Sequence, residues 1–281
     1  MGKIIDGKKL ADKIHAETKD FVSILKRQKI TPKLLVFLVG DNKASKKYVE
    51  KKKKAAEEVG IDCQILHFEE KISQKKLVEE VKKAQRTRRP HACIVQLPLP
   101  KHIDQHEVLN AVAPHRDIDC LNEVNMGKLA INRACFYPPT IAAILHILEE
   151  EQKLDLKEKH VVVVGAGILV GKPLTHVLLH KEATVTVCNK YTKNLKALTK
   201  NADILVTAVG QKDLIKKDMI KWRAVVIDVG VSFQGKKIYG DAQFEKVLRK
   251  AKSVTPTPGG VGPLTVAFLL KNVVIAASQK R

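Results

Sequence analysis

The stretch His160-Val161-Val162-Val163-Val164-Gly165-Ala166-Gly167-Ile168-Leu169-Val170-Gly171-Lys172-Pro173 leaves this chain few folds to choose from. Four valines in a row fit a strand buried on both faces of a parallel sheet. The strand runs straight into glycines and then into a helix. Gly165 permits the tight turn and Gly167 lets backbone amides approach a pyrophosphate. The helix N-terminus adds partial positive charge and free N–H groups. The GxGxxxG spacing is one residue longer than the commonest fingerprint. With a strand before it and a helix after it, a dinucleotide site is favoured over a plain βα turn.

The alternation of strand and helix extends both ways from this point. After it come strands at 184–187, 204–208, 224–229 and 253–254, with a helix at 195–199. Before it, Leu10, Ile14, Phe21, Ile24 and Leu25 recur at helical spacing, and the apolar run 34–39 reads as a buried strand. A helix over 44–59, a strand over 63–68, a helix over 72–85 and a strand over 92–97 follow. Such alternation predicts α/β architecture with parallel sheets. A helix over 140–151 separates the two series, so the expected partition is 1–140 with 264–281 against 141–263.

At 281 residues the chain suits one large domain or two ordinary ones. Its five cysteines are scattered and lack a CxxC pair, which points to a reducing cytoplasm and away from structural zinc. No signal peptide is read at the start, and no apolar stretch is expected to approach the roughly 20 residues of a membrane helix. His102/His106 and His176/His180 have i,i+4 spacing but no acidic ligand set, so no metal is expected. The net charge is +21, yet the lysines are spread along the chain and aromatics make up only 4%. This favours a basic surface with affinity for small anions over nucleic-acid binding.

Three segments carry candidate chemistry. On a helix, Ser45, Tyr48 and Lys52 share one face, a phenol beside an amine. Lys51, Lys53 and Lys54 crowd charge around Lys52, and burial would add to their effect in lowering its pKa toward the range of proton transfer. By itself the segment also fits a solvated lysine-rich helix. Gln96 ends an apolar strand, where α/β sheets bind ligands, or else faces water. Arg116-Asp117-Ile118-Asp119 offers one acid for a ligand and one to pair with Arg116, or simply a loop salt bridge. After the strand 184–187, Cys188-Asn189-Lys190 stands where NAD-selective sites place a carboxylate, so NADP is expected. Finally, 255–265 (TPTPGGVGPLT) packs three glycines and three prolines into a rigid, shaped loop that reads as a binding-site wall. A helix over about 264–278 follows it.

Taken together, VGDNKASKKYVEKKKKA (39–55), IVQLPLPKHID (94–104), RDID (116–119), VVVVGAGILVGKP (161–173), VIDVG (226–230), GDAQF (240–244) and TPTPGGVGPLTVA (255–267) resemble one family. It is the bifunctional methylenetetrahydrofolate dehydrogenase/methenyltetrahydrofolate cyclohydrolases, and the resemblance spans almost the whole chain. It implies an N-terminal α/β substrate domain plus a Rossmann-type NADP-binding domain, a cleft between them, tetrahydrofolate substrates and a homodimer.

Carried over by motif, Lys52 is the implied catalytic lysine and Tyr48 stacks on the folate and positions it. Gln96 tunes the lysine near the one-carbon bridge, and Asp119 grips the pterin. Val95 and Leu97 line the same pocket, while Pro258, Gly259 and Gly262 lie against folate and nicotinamide. Cofactor contacts are expected at Gly165, Ala166, Gly167, Leu169 and Val170, and beyond them at Asn189, Lys190, Ala208, Gly210, Val231 and Thr265.

The chain departs from the family pattern in places. Gly165-Ala166-Gly167 replaces Gly-Arg-Ser, removing an arginine credited with helping to hold the 2′-phosphate, a role Lys190 or Lys172 would take. Asp119-Cys120-Leu121-Asn122 replaces Asp-Gly-Phe-His, and Gly230-Val231-Ser232 replaces Gly-Ile-Asn. The competing reading is a non-catalytic basic NADP- or nucleic-acid-binding protein on the same fold. It leaves unexplained why Tyr48, Lys52, Gln96 and Asp119 are all present.

Overall fold

The computed structural model describes residues 1–235 and 237–279, which divide into two units. In chain order the first elements are β1 (Lys3–Ile4), α1 (Gly7–Arg27), β2 (Lys33–Val39), α2 (Lys43–Glu58), β3 (Asp62–Phe68), α3 (Gln74–Arg88) and β4 (Ala92–Val95). Next come α4 (Gln105–Asn110), α5 (Glu123–Ala130) and α6 (Pro139–Leu145), which continues as a π turn, His146–Glu151. Then follow β5 (His160–Val164), α7 (Gly171–His180), β6 (Thr184–Cys188), α8 (Leu195–Thr199), β7 (Ile204–Thr207) and β8 (Val225–Asp228). The chain ends with β9 (Ser232–Gln234), β10 (Lys237–Tyr239), α9 (Phe244–Leu248), β11 (Ser253–Val254) and α10 (Val261–Ser278).

One unit comprises residues Asp12–Lys128, Ala134–Pro139 and Val266–Arg281. Its parallel three-stranded sheet has the order β3-β2-β4. Successive side chains of the central strand point to opposite faces, so both faces must be apolar. Leu34, Val36 and Leu38 pack with Val22 and Leu25 of α1, Val49 and Ala56 of α2, and Leu269, Leu270 and Val273 of α10. Leu35, Phe37 and Val39 pack on the other side with Leu77 and Val81 of α3 and with Val108 and Leu109 of α4.

Against expectation, α10 is long and apolar enough to cross a membrane, with a mean hydropathy of 1.7 over 18 residues. It is a core helix covered on several sides, which removes the need for a continuous polar face.

The other unit comprises Met1–Ala11, Leu129–Arg133 and Thr140–Thr265. Its six-stranded sheet has the order β1-β11-β8-β7-β5-β6, and all its pairings are parallel. The chain steps from β5 out to β6, then returns to the far side of β5 as β7. This reversal makes a topological switch point beyond the C-terminal ends of β5 and β7, where open α/β sheets bind ligands.

The expected partition at 1–140 needs correction at the start. Lys3 and Ile4 pair with Ser253 and Val254, so the first residues belong to the six-stranded sheet. A two-residue strand carries too little pattern to be read from sequence. The short α4, α5 and α9 and the β9–β10 hairpin escaped for the same reason.

Candidate active site

Asn42 starts α2 by accepting a hydrogen bond from Ser45 N at 3.0 Å. From there the helical repeat sets Ser45 and Val49 inward and carries Lys52 into a half-buried position. Lys52 Nζ donates to Gln96 Oε1 at 3.1 Å. Gln96 begins where β4 stops, its N–H still held by Phe37 O at 2.9 Å. Its Nε2 donates to Leu97 O at 2.6 Å, which orients the amide so that the oxygen faces the lysine.

Asp119 joins this pair through its charge. The segment before it runs parallel beside β4, with Cys93 opposite Asp117 and Cys93 N donating to Arg116 O at 2.7 Å. Asn272, a buried amide on α10, donates to Ile118 O at 3.1 Å and to Tyr137 O at 2.9 Å, pinning the backbone next to Asp119. Burial pushes the Asp119 carboxyl up to about 6; the Lys52 charge opposes this and Asp117 adds to it. Burial likewise lowers the Lys52 amine from its ordinary value, with Asp119 pulling the other way.

Two expectations change here. Burial, not lysine crowding, depresses Lys52, because its sequence neighbours project elsewhere around the helix. Lys53 and Lys54 pair along the helix with Glu57 at 3.7 Å and Glu58 at 4.0 Å. Asp117 does not pair with Arg116. Its carboxylate accepts from Asn122 N at 2.8 Å and Asn125 Nδ2 at 2.9 Å, while Arg116 Nη1 donates to Gln85 O at 2.6 Å.

Tyr48 lies one helical turn from Lys52 and is 43% exposed, leaving its ring free to meet a planar ligand. Val95 is buried and Leu97 half-buried in the same unit. Sequence reasoning missed Asn272, Asn122 and Asn125. The one available signal was an amide inside the apolar run of α10.

The second cluster lies at the switch point. Gly165 has φ of 113°, and a Cβ there would come 2.5 Å from Ala208 O, so the loops after β5 and β7 touch at backbone level. A Cβ on Gly171 would come 1.8 Å from Gly165 O, so α7 starts directly against the turn. At Gly167, by contrast, a Cβ would meet nothing within 4 Å. That is room for a ligand beside the N-terminus of α7, which no side chain caps. Leu169, Val209 and Val231 are exposed on the loops here, an apolar lining suited to a flat ring. These residues fit a dinucleotide, with Ala166, Val170, Ala208 and Gly210 in the same loops.

Beyond β6, Asn189 shapes a turn, its N–H donating to Thr192 Oγ1 at 2.8 Å and its Oδ1 accepting from Tyr191 N at 2.9 Å. Lys190 is exposed, 4.8 Å from the Tyr191 ring centre. Thr265 stands apart from these loops in its bonding: its hydroxyl donates to Val261 O at 3.2 Å and reaches Thr140 Oγ1 at 3.5 Å.

The 255–265 loop is in this same unit. Gly259 has φ of 105°, and a Cβ on Gly7 would lie 1.8 Å from Gly260 O, so the start of α1 packs on the loop backbone. A Cβ on Gly262 would meet nothing within 4 Å, which leaves that face open beside Pro258 and Gly259.

Comparison with known proteins gives concordant results. Residues 5–119 match the family model described as tetrahydrofolate dehydrogenase/cyclohydrolase, catalytic domain. Residues 138–281 match the one described as tetrahydrofolate dehydrogenase/cyclohydrolase, NAD(P)-binding domain. The "Bifunctional protein FolD" of Moorella thermoacetica is 46% identical over 278 residues, covering 99% of each chain. Among solved structures, the bifunctional FolD methylenetetrahydrofolate dehydrogenase/cyclohydrolase of Campylobacter jejuni superposes with a TM-score of 0.95 at 39% identity, covering 99% of both chains. The Trypanosoma brucei methylenetetrahydrofolate dehydrogenase-cyclohydrolase, solved with NADP and an inhibitor, gives 0.94 at 34% identity, covering 98% of this chain and 97% of that one.

Proposed function

Because the chain belongs to the tetrahydrofolate dehydrogenase/cyclohydrolase family, we propose that it oxidises 5,10-methylenetetrahydrofolate with NADP and then hydrolyses the methenyl product to 10-formyltetrahydrofolate. The observation that carries the site assignment is the half-buried Lys52–Gln96 hydrogen bond of 3.1 Å beside the charge of Asp119.

When bound, NADP would supply the hydride acceptor for the methylene carbon, and the protein's part would be orientation. The loops after β5 and β7 would hold it, with the N-terminus of α7 at the pyrophosphate. Hydrolysis then depends on Lys52. Water adds to the electrophilic methenyl carbon, and Lys52 in its neutral form takes one water proton, leaving a neutral hydroxyl adduct. The resulting ammonium gives that proton to the folate nitrogen as the ring C–N bond breaks, and the adduct's hydroxyl proton leaves to solvent as the formyl C=O forms, the one net proton released. Gln96 fixes the amine's direction. Asp119 accepts hydrogen bonds from the pterin, and Tyr48 stacks on the folate. The pterin's hydrogen bonds would also draw Asp119's charge away from Lys52, easing its deprotonation once substrate is seated.

The direct test is a spectrophotometric assay with methylenetetrahydrofolate and each cofactor. NADP reduction accompanied by transient methenyl absorbance supports the reading; no reduction with either cofactor overturns it. Lys190 is assigned to the 2′-phosphate. Lys190→Ala should raise KM for NADP about five- to tenfold and leave KM for NAD nearly unchanged; equal changes for both would remove that role.

Asp119 predicts a pH profile. Its carboxylate forms above about 6, so cyclohydrolase kcat/KM should fall below that pH as the pterin loses its acceptor. Asp119→Asn should flatten this acid limb while lowering kcat/KM throughout. The same shift acts on stability with a definite sign. The folded chain binds the Asp119 proton more tightly than the unfolded chain. Stability therefore declines as pH rises from about 4, the unfolded value, to about 6. At pH 7, Asp119→Asn should raise Tm by roughly 5 °C, measurable by calorimetry.

No disulfide joins the five cysteines, and four of them are buried, in keeping with a reducing cytoplasm. A homodimer completes the reading, and sedimentation at micromolar concentration tests it.

A further inference from the structure

Two buried aspartates at the switch point take no part in the chemistry above. Asp241 is fully buried, and its carboxylate accepts from Thr207 Oγ1 at 2.7 Å, Val209 N at 2.8 Å and Gln211 N at 2.7 Å. Asp228 accepts from Gly230 N at 3.1 Å, Asp241 N at 3.0 Å and Ala242 N at 2.8 Å. Its own N–H donates to Thr255 Oγ1 at 2.7 Å, at the entry to the Gly/Pro loop. The space around these carboxylates is closed: a Cβ on Gly230 would lie 2.1 Å from Asp241, and one on Gly240 would lie 2.2 Å from Asp228.

The residues so tied are the end of β7 and the segments carrying Ala208, Gly210 and Val231. We propose that Asp241 is a positioning residue for the dinucleotide, clamping the loop after β7 in the shape that meets the glycine turn after β5. The proposal rests on the NADP-dependent reading given above.

The chemistry explains why this position holds a carboxylate. Three donors converge on it from three residues, one hydroxyl and two backbone N–H groups, and only an acceptor with two free oxygens satisfies them all. An amide would turn an N–H toward a backbone N–H, leaving buried donors unpaired. Side-chain burial does little to fix the loop segment 208–211: Val209, Gly210 and Gln211 are exposed, and Gly210 has φ of 77°. Its conformation therefore depends on the acid behind it. Asp228 serves as the second tier, carrying Asp241's own backbone and coupling it to Thr255.

Two variants test the clamp. Asp241→Asn keeps the volume and reverses one hydrogen bond; Thr207→Val is isosteric and removes one donor. Each is assayed for NADP-dependent oxidation of methylenetetrahydrofolate and, separately, for hydrolysis of supplied methenyltetrahydrofolate, a step that consumes no cofactor. Asp241→Asn should raise KM and Kd for NADP about tenfold or more, and Thr207→Val about two- to fivefold. In both, kcat and the hydrolysis rate should stay within about twofold. Unchanged NADP binding in both variants would overturn the clamp. So would a parallel fall of both activities, the mark of a purely structural role. If Asp241→Asn does not fold, Thr207→Val decides the matter, and unchanged NADP binding there overturns it. Absence of NADP-dependent oxidation by the unaltered protein would overturn the underlying reading instead, and is seen before any variant is made.

Discussion

Lys52→Met removes cyclohydrolase activity, lowering it by about 10²–10⁴-fold, while the dehydrogenase keeps far more of its rate. The split follows from what each step asks of the protein. Hydride transfer needs alignment of substrate and cofactor, and methionine occupies nearly the volume of the lysine stem. Hydrolysis needs a base for the attacking water and an acid for the departing nitrogen, and the thioether is neither. Burial makes the lysine fit for the task, holding its amine below the ordinary value and so enlarging its neutral fraction. Gln96 Oε1 at 3.1 Å then aims it. The variant should fold, because it removes a buried amine; Gln96 Oε1 loses its donor, and Asp119 loses the opposing Lys52 charge, which pushes its carboxyl further up toward the protonated form. Following methenyl absorbance after mixing enzyme, methylenetetrahydrofolate and NADP gives the readout: the methenyl species accumulates instead of decaying. Cyclohydrolase activity at the unaltered level would remove Lys52 from the mechanism.

Gly171→Ala should do the reverse. A Cβ at this position would lie 1.8 Å from Gly165 O and 2.9 Å from Ala166 Cα, both backbone atoms that cannot rotate aside. The turn after β5 must then open or α7 must withdraw. Either moves the amides that would meet the pyrophosphate. Over-packing of this kind costs about 1–3 kcal/mol of stability, lowering Tm by several degrees. The functional loss is larger: KM for NADP should rise about 100-fold, because several phosphate contacts shift together. Hydrolysis of supplied methenyltetrahydrofolate relies on Lys52, Gln96 and Asp119 in the other unit and should continue at near its normal rate. Retained NADP affinity would show that the close packing of Gly171 on Gly165 plays no part in binding.

Opposite outcomes in these two variants fit the way the chain is built. The alternation of apolar runs and amphipathic segments was legible because both β2 and β5 are buried on two faces and so are almost wholly apolar. The helix face bearing Tyr48 and Lys52 was legible from spacing alone. Less visible were elements whose pairing is non-local and brief. β1 is two residues long and finds its partner about 250 positions away, which no local pattern encodes.

By itself, then, the sequence determined the α/β class, the strand-turn-helix at 161–173 and the residue types available for proton transfer, since these rest on periodicity and on side-chain chemistry; a pterin role for Asp119 came only from the family resemblance. Only the tertiary structure decided how those groups are tuned. Lysines close to Lys52 in sequence suggested charge crowding, but helical geometry turns them away and burial sets the amine's basicity instead. Two acids beside Arg116 suggested a local ion pair, but the chain places Asp117 against asparagines and Asp119 within reach of Lys52. Burial and electrostatic environment are properties of what packs around a group, and that is fixed by contacts between residues far apart along the chain.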